Sequence, residues 1–166
     1  VSPFLIFSYA SCLSKQIQVP VNEAKDFIDA YFDRYPGVKT FIDSTIERTR
    51  EEGMVHTILG RYRGIPEINA RNGALRQMAE RTAVNTVIQG SAADLIKLAM
   101  IAIWKRIQEG STARMLIQVH DELLFEMPEN AIERETAMIE KEMTSCMTLD
   151  VPLVVQVKTG TNWAEA

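Results

Sequence analysis

His120, Asp121 and Glu122 stand side by side in the stretch IQVHDELLFEM, residues 117–127. Adjacent carboxylates offer hard oxygen ligands suited to Mg²⁺, which keeps waters and substrate phosphates in its shell. A histidine beside them can donate to phosphate. Upstream, Arg81, Asn85 and Gln89 are spaced four residues apart, which puts them on one helical face. One cation and two amides make a donor row for phosphate, sugar or base edges. A third group is arginine-rich: GRYRGIP carries Arg61 and Arg63, and RNGALRQ carries Arg71 and Arg76. Guanidinium forks suit phosphate oxygens because they bind them bidentately. Each group also has a plainer reading. Aspartate is a favoured turn residue, and amphipathic helices commonly carry polar rows on their wet side. Together the three groups are what a contact with a polymer of phosphates needs, but they do not fix a reaction.

The elements that must position these residues follow from pattern. After Pro20, VNEAKDFIDAYFDRY sets Ala24, Phe27, Ile28, Tyr31, Phe32 and Tyr35 on one stripe at helical spacing. Pro36-Gly37 breaks that helix, and a second one, VKTFIDSTIERTREE, stops at Gly53 as a natural C′ residue. Residues 54–66 read as a hairpin. From about Asn72 a long helix begins, with Val84, Ile88, Ser91, Leu95, Leu98 and Ala102 as its expected buried stripe and Gly90 as a candidate bend. It should end near Gly110. RMLIQV and ELLFEM are two strand-like runs with His120 and Asp121 at their junction. A helix follows, with Ile132, Ile139, Met143 and Cys146 inward, then VPLVVQVK as a nearly all-apolar strand. Helices mix with mainly antiparallel strands, which makes an α+β chain.

The 166 residues are enough for one domain with a core, and 46% hydrophobic against 24% charged residues is a globular balance. No run reads as the roughly 20 apolar residues that span a bilayer, so no membrane partner is expected. The opening VSPFLIF lacks preceding basic residues and makes a poor signal peptide. Cys12 and Cys146 match no metal or redox spacing and are expected as free thiols in a reducing cytoplasm. The first residue is Val, so the chain is expected to be an excerpt of a longer protein. A net charge of −4 argues against a stand-alone nucleic-acid binder, but it averages over a split. Residues 60–81 hold five arginines against Glu67 and Glu80, whereas residues 119–150 hold nine acids against Arg134 and Lys141. Such asymmetry fits a polyanion contact on one side, or simply two solvated faces.

QVHDELLFE, preceded by AERTAVNTVIQGSAADLIKLAM and followed by LDVPLVVQVKTGTNW, resembles the C-terminal part of the polymerase domain of the family A DNA polymerases, the family of bacterial DNA polymerase I. LSKQIQVPVNEAKDFIDAYFDRYPGVKTFIDSTIE resembles the fingers segment after that family's O helix, and TILGRYRGIPEI its short hairpin. The resemblance begins near Leu13. It implies a partial polymerase palm, an antiparallel sheet with the catalytic hairpin, plus a helical fingers segment. Residues 13–70 would be the fingers remainder and short hairpin, 71–166 the palm, and 1–12 a divergent start. It implies a DNA-directed DNA polymerase of replication and repair, cytoplasmic and bacterial, acting on primer-template DNA and deoxynucleoside triphosphates. Asp121 matches the family's second metal-binding aspartate, Glu122 its acidic neighbour, and His120 the histidine at the primer terminus. Arg81, Asn85, Gln89 and Arg76 match long-helix residues that contact template-primer, and Arg61 falls in the hairpin near DNA.

The resemblance also implies what is lacking. In-line nucleotidyl transfer uses two Mg²⁺ ions clamped between carboxylates. The family's first metal aspartate lies in a DYS-type strand, yet no aspartate precedes Asp26 here. In place of the O-helix pattern stands VSPFLIFSYASC, where Tyr9 lacks the following glycine and receives no role. Only one carboxylate wall of the Mg²⁺ site is present, so the expectation is a fragment inactive without the missing N-terminal half of the polymerase domain. The alternative is an inactive DNA-binding remnant, or a fragment with no function of its own.

Overall fold

The computed structural model describes residues 10–165, with side chains from Leu13. The expected divergent start, with Tyr9, and the Cys12 thiol lie outside what is described. The chain divides into two compact units, one running to Gly90 and the other starting at Ser91.

In the first unit, α1 (Ala10–Ile17) packs on α2 (Val21–Arg34), and α2 on α3 (Pro36–Glu52). Pro36 ends α2 because it has no N–H to donate, and it starts α3 at the first-turn position where none is needed. Gly53 closes α3 with φ 70°, and its N–H donates to the Thr49 carbonyl at 2.8 Å. That left-handed geometry is costly for residues with a Cβ. Of the expected α2 stripe only Ala24 is fully buried, while Phe27, Tyr31 and Tyr35 stay exposed.

The chain then forms hairpin β1 (Met54–His56) with β2 (Tyr62–Gly64), paired antiparallel with Val55 opposite Arg63. Strand alternation turns Val55 inward. There it joins Ile65, Ile68, Ala79 and Ala83 in a core, with Val87 against it. Ile68 sits in a 3-10 turn, Pro66–Asn69, and burying such a side chain stabilises by roughly 1.5–3 kcal/mol.

Helix α4 runs from Gly73 to Gln108. Asn72 caps it: its Oδ1 accepts from the N–H groups of Ala74 (2.9 Å) and Leu75 (3.2 Å). The helix stays α-helical through Gly90, the expected bend. Its buried stripe also differs from expectation. Val84 is buried, but Ile88 is exposed and Ser91, Leu95, Leu98 and Ala102 are only half-buried. Ala79 and Ala83 are buried by the first unit's core, Ala99 and Ile103 within the second unit. One stripe cannot describe a helix whose two halves meet different partners. Contrary to the sequence reading, α4 is long and apolar enough to cross a membrane by length and composition. Asp94 and Lys97 interrupt its apolar run in the sequence and hid that property.

In the second unit, β3 (Arg114–Val119) pairs antiparallel with β4 (Glu122–Glu126). Between Met115 and Ile117 the register shifts, so Leu116 is an extra residue on β3, a bulge. Met115, Leu123 and Phe125 pack on Ile103, Ala113 and Ile139, the last from α5 (Ile132–Thr144). Ile132, Met143 and Cys146 are half-buried, as an inward face predicts, and Cys146 is a free thiol raised by burial. VPLVVQVK does not form a strand: residues 152–160 carry no ladder among the described residues, and Val154 is 82% exposed. An all-apolar strand is one that sheet neighbours and layers cover on both faces, and the described residues offer it neither.

Candidate functional site

The hairpin tip gathers His120, Asp121 and Glu122, all exposed. Val119 pairs with Glu122, so His120 and Asp121 are the two residues of a tight turn. His120 has φ 53°, the left-handed region. A residue with a Cβ held there costs about 1–2 kcal/mol, and such strain clusters at functional turns. Gln118 helps to hold it by donating its Nε2–H to the His120 carbonyl at 3.0 Å. Asp121 and Glu122 are adjacent, exposed carboxylates at the end of the hairpin. Among the described residues no group of three or more His, Cys, Asp or Glu side chains could hold a metal ion.

The donor row lies on α4 in the first unit. Arg81 and Asn85 are half-buried and Gln89 is exposed. Two expected contributors are tied into the fold. Arg76 donates to the Ala70 carbonyl at 3.1 Å and approaches Glu80 at 3.9 Å, while Arg50 holds the same Glu80 at 2.6 Å. Arg61 donates to the Gly90 carbonyl at 3.2 Å, and its neighbour Arg63 to the Thr86 hydroxyl at 3.3 Å. The structure thus gathers the acidic tip in one unit and the basic and amide row in the other.

Sequence reasoning missed Glu135, a carboxylate 2% exposed on α5. Burial alone would raise its pKa. Donors from Ser111 Oγ (2.5 Å), Arg134 Nη2 (2.5 Å) and both the N–H and hydroxyl of Thr112 outweigh that and hold it down at about 2. The cluster pins the turn that leads into β3, at the base of the hairpin. Its signal in the sequence was faint: a glutamate amid glutamates.

The model of DNA polymerase family A matches residues 7–165. The chain belongs to DNA polymerase family A. Over 155 residues this family A chain is 48% identical to DNA polymerase I of Pseudomonas aeruginosa, covering 93% of its own length and 17% of that relative. It is 46% identical over 154 residues to the thermostable DNA polymerase I of Thermus thermophilus, covering 93% of itself and 18% of that enzyme. The chain thus spans less than a fifth of the length of these relatives. A solved structure, the POL domain of Pol1 from M. smegmatis in complex with DNA primer-template and dNTP, superposes with a TM-score of 0.91 at 40% identity. That match covers 99% of this family A chain and 30% of the other. The α+β architecture with small antiparallel sheets is that of a polymerase-domain fragment.

Proposed function

We propose that this chain is the C-terminal fingers–palm portion of a DNA-directed DNA polymerase, with residues 13–70 as fingers remainder and short hairpin and 71–166 as palm. The observation that carries the reading is the 0.91 TM-score over 99% of the chain with a polymerase domain that holds primer-template and dNTP. In the proposed reaction a primer 3′-hydroxyl attacks the α-phosphate of an incoming deoxynucleotide, the bond to the next phosphate breaks and pyrophosphate leaves. When bound, Mg²⁺ would polarise the phosphate and activate the attacking oxygen. Asp121 and Glu122 would supply one side of its oxygen shell from a rigid hairpin end. His120 would contact the primer terminus. Arg81, Asn85 and Gln89 would hold template-primer through backbone and base-edge hydrogen bonds.

The remainder of the polymerase domain would supply the other carboxylates, and activity would depend on it. Exposed apolar side chains support that dependence: Ile101, Trp104, Leu116 and Ile117 are each about half exposed, more than a self-sufficient domain needs. The test is a chimera. This chain replaces the matching segment of the Pseudomonas aeruginosa enzyme, and primer extension is measured with Mg²⁺ and deoxynucleotides. Extension by the chimera, its loss with Asp121→Asn, and none from the isolated chain are expected. A folded but inactive chimera overturns the reading, and template-dependent extension by the isolated chain overturns the dependence. A second reading, DNA binding without catalysis, is favoured by the α4 row of Arg81, Asn85 and Gln89, whose donors need no metal to contact phosphate or base edges. It predicts that the isolated chain binds primer-template with an affinity that falls steeply with salt.

A further inference from the structure

The β1–β2 hairpin meets α4 over a single turn of helix. Arg63 donates to Thr86 Oγ1 (3.3 Å) and Arg61 to the Gly90 carbonyl (3.2 Å), four residues further along. A carbonyl has a second lone pair beyond its helical bond. Thr57 presses into the same place: a Cβ at position 90 would lie 2.7 Å from its Cγ2. Thr57 cannot easily turn away. It is β-branched and stiff at χ1, and its Oγ1 accepts from the Arg61 N–H at 3.2 Å. Below this contact, Val55 is buried against Ala79 and Ala83. The turn so held, residues 86–90, contains Gln89 and directly follows Asn85.

We infer that this contact is a brace: Thr57, Arg61 and Arg63 fix the α4 turn that presents Asn85 and Gln89, and Arg61 serves nucleic-acid binding through the Gly90 carbonyl rather than as a phosphate ligand. Arg61 is then a positioning residue, and Gly90 is glycine because the brace needs close approach there, not because the helix bends. The inference rests on the proposed reading of the α4 row as a nucleic-acid contact.

The test uses the whole chain, with a fluorescently labelled primer-template DNA titrated at several salt concentrations and amide exchange followed over residues 54–64. Gly90→Ala adds helix propensity, so it should not weaken α4 itself. It should speed exchange in the hairpin and weaken DNA binding about tenfold, the worth of one or two hydrogen bonds. Thr57→Ser removes Cγ2 and keeps Oγ1, so adding it to Gly90→Ala should restore both readouts. Arg61→Ala should weaken binding while leaving the slope of log affinity against log salt unchanged, whereas Arg81→Ala should lower that slope by about 1, the mark of a lost phosphate contact.

A slope change in Arg61→Ala equal to that of Arg81→Ala would make Arg61 a phosphate ligand and overturn the brace. So would unchanged hairpin exchange in Gly90→Ala, or failure of Thr57→Ser to rescue it. If Arg81→Ala and Asn85→Ala leave DNA affinity untouched, or the chain binds no DNA at low salt, the reading of the row fails and the inference falls with it.

Discussion

The two hairpins of this chain are built alike and used differently. Each lays one face on a small core, β1–β2 through Val55 and β3–β4 through Met115, Leu123 and Phe125. The first spends its cations on its own fold, with Arg61 and Arg63 tied to α4. The second turns His120, Asp121 and Glu122 out into solvent, with His120 in a backbone conformation that costs energy. A hairpin that satisfies its polar groups internally acts as structure. A hairpin that leaves them exposed, with one held in a strained conformation on a packed base, keeps side chains that its own core does not use.

That contrast can be broken at the base of the second hairpin first. Ile103 is fully buried among the residues that carry β3–β4. Ile103→Ala should cost about 2–5 kcal/mol, read by denaturant unfolding, and should loosen residues 114–126 while amide exchange at 54–64 is unchanged. Loosening of both hairpins together would mean they are not separately supported.

Glu135 comes next. With its carboxyl held at about 2 against an ordinary 4.5, its stabilisation is fully present above pH 4.5 and fades as pH falls toward 2. Glu135→Gln should lose on the order of 2–3 kcal/mol at neutral pH. The gap from the unaltered chain should shrink as pH drops from 4.5 to 2 in parallel melts. A gap that does not change with pH would mean the charge is not what holds the Ser111–Thr112 turn.

The smallest effect sharpens the contrast most. His120→Gly relieves the left-handed strain but loosens the unfolded chain, so stability should rise by only about 0.5 kcal/mol. A clear loss of melting temperature would show that the histidine side chain is a structural contact rather than one kept for a ligand.

Much of the fold was legible because its signals are local. Pro36, Gly53 and the Asn72 cap mark helix ends through backbone chemistry that needs no distant partner. Both hairpins announced themselves by alternation around turn residues. What stayed hidden depends on contacts far along the chain. VPLVVQVK has strand chemistry, but a ladder needs a paired neighbour, and residues 152–160 pair with no strand among the described residues. The buried face of α4 could not be read as one stripe because two cores claim different residues along it. Gly90 reads as a bend in one dimension and as room for Thr57 in three. The tip triplet His120, Asp121 and Glu122 was visible as a cluster, while the buried Glu135, which holds the turn at the hairpin's base, looked like any acid on a helix.

The Leu116 bulge has a consequence for length. Met115 pairs with Phe125, but Ile117 pairs with Leu124, so the in–out order of β3 inverts at that point. The strand therefore carries one residue that β4 does not match. Losing one residue there would straighten the strand into ordinary alternation and leave Ile117 opposite Leu124 and Val119 opposite Glu122. Loops elsewhere in the chain can drift in length by single steps. This strand can lose one step too, because Val119 would still face Glu122 and the acidic tip would keep its side.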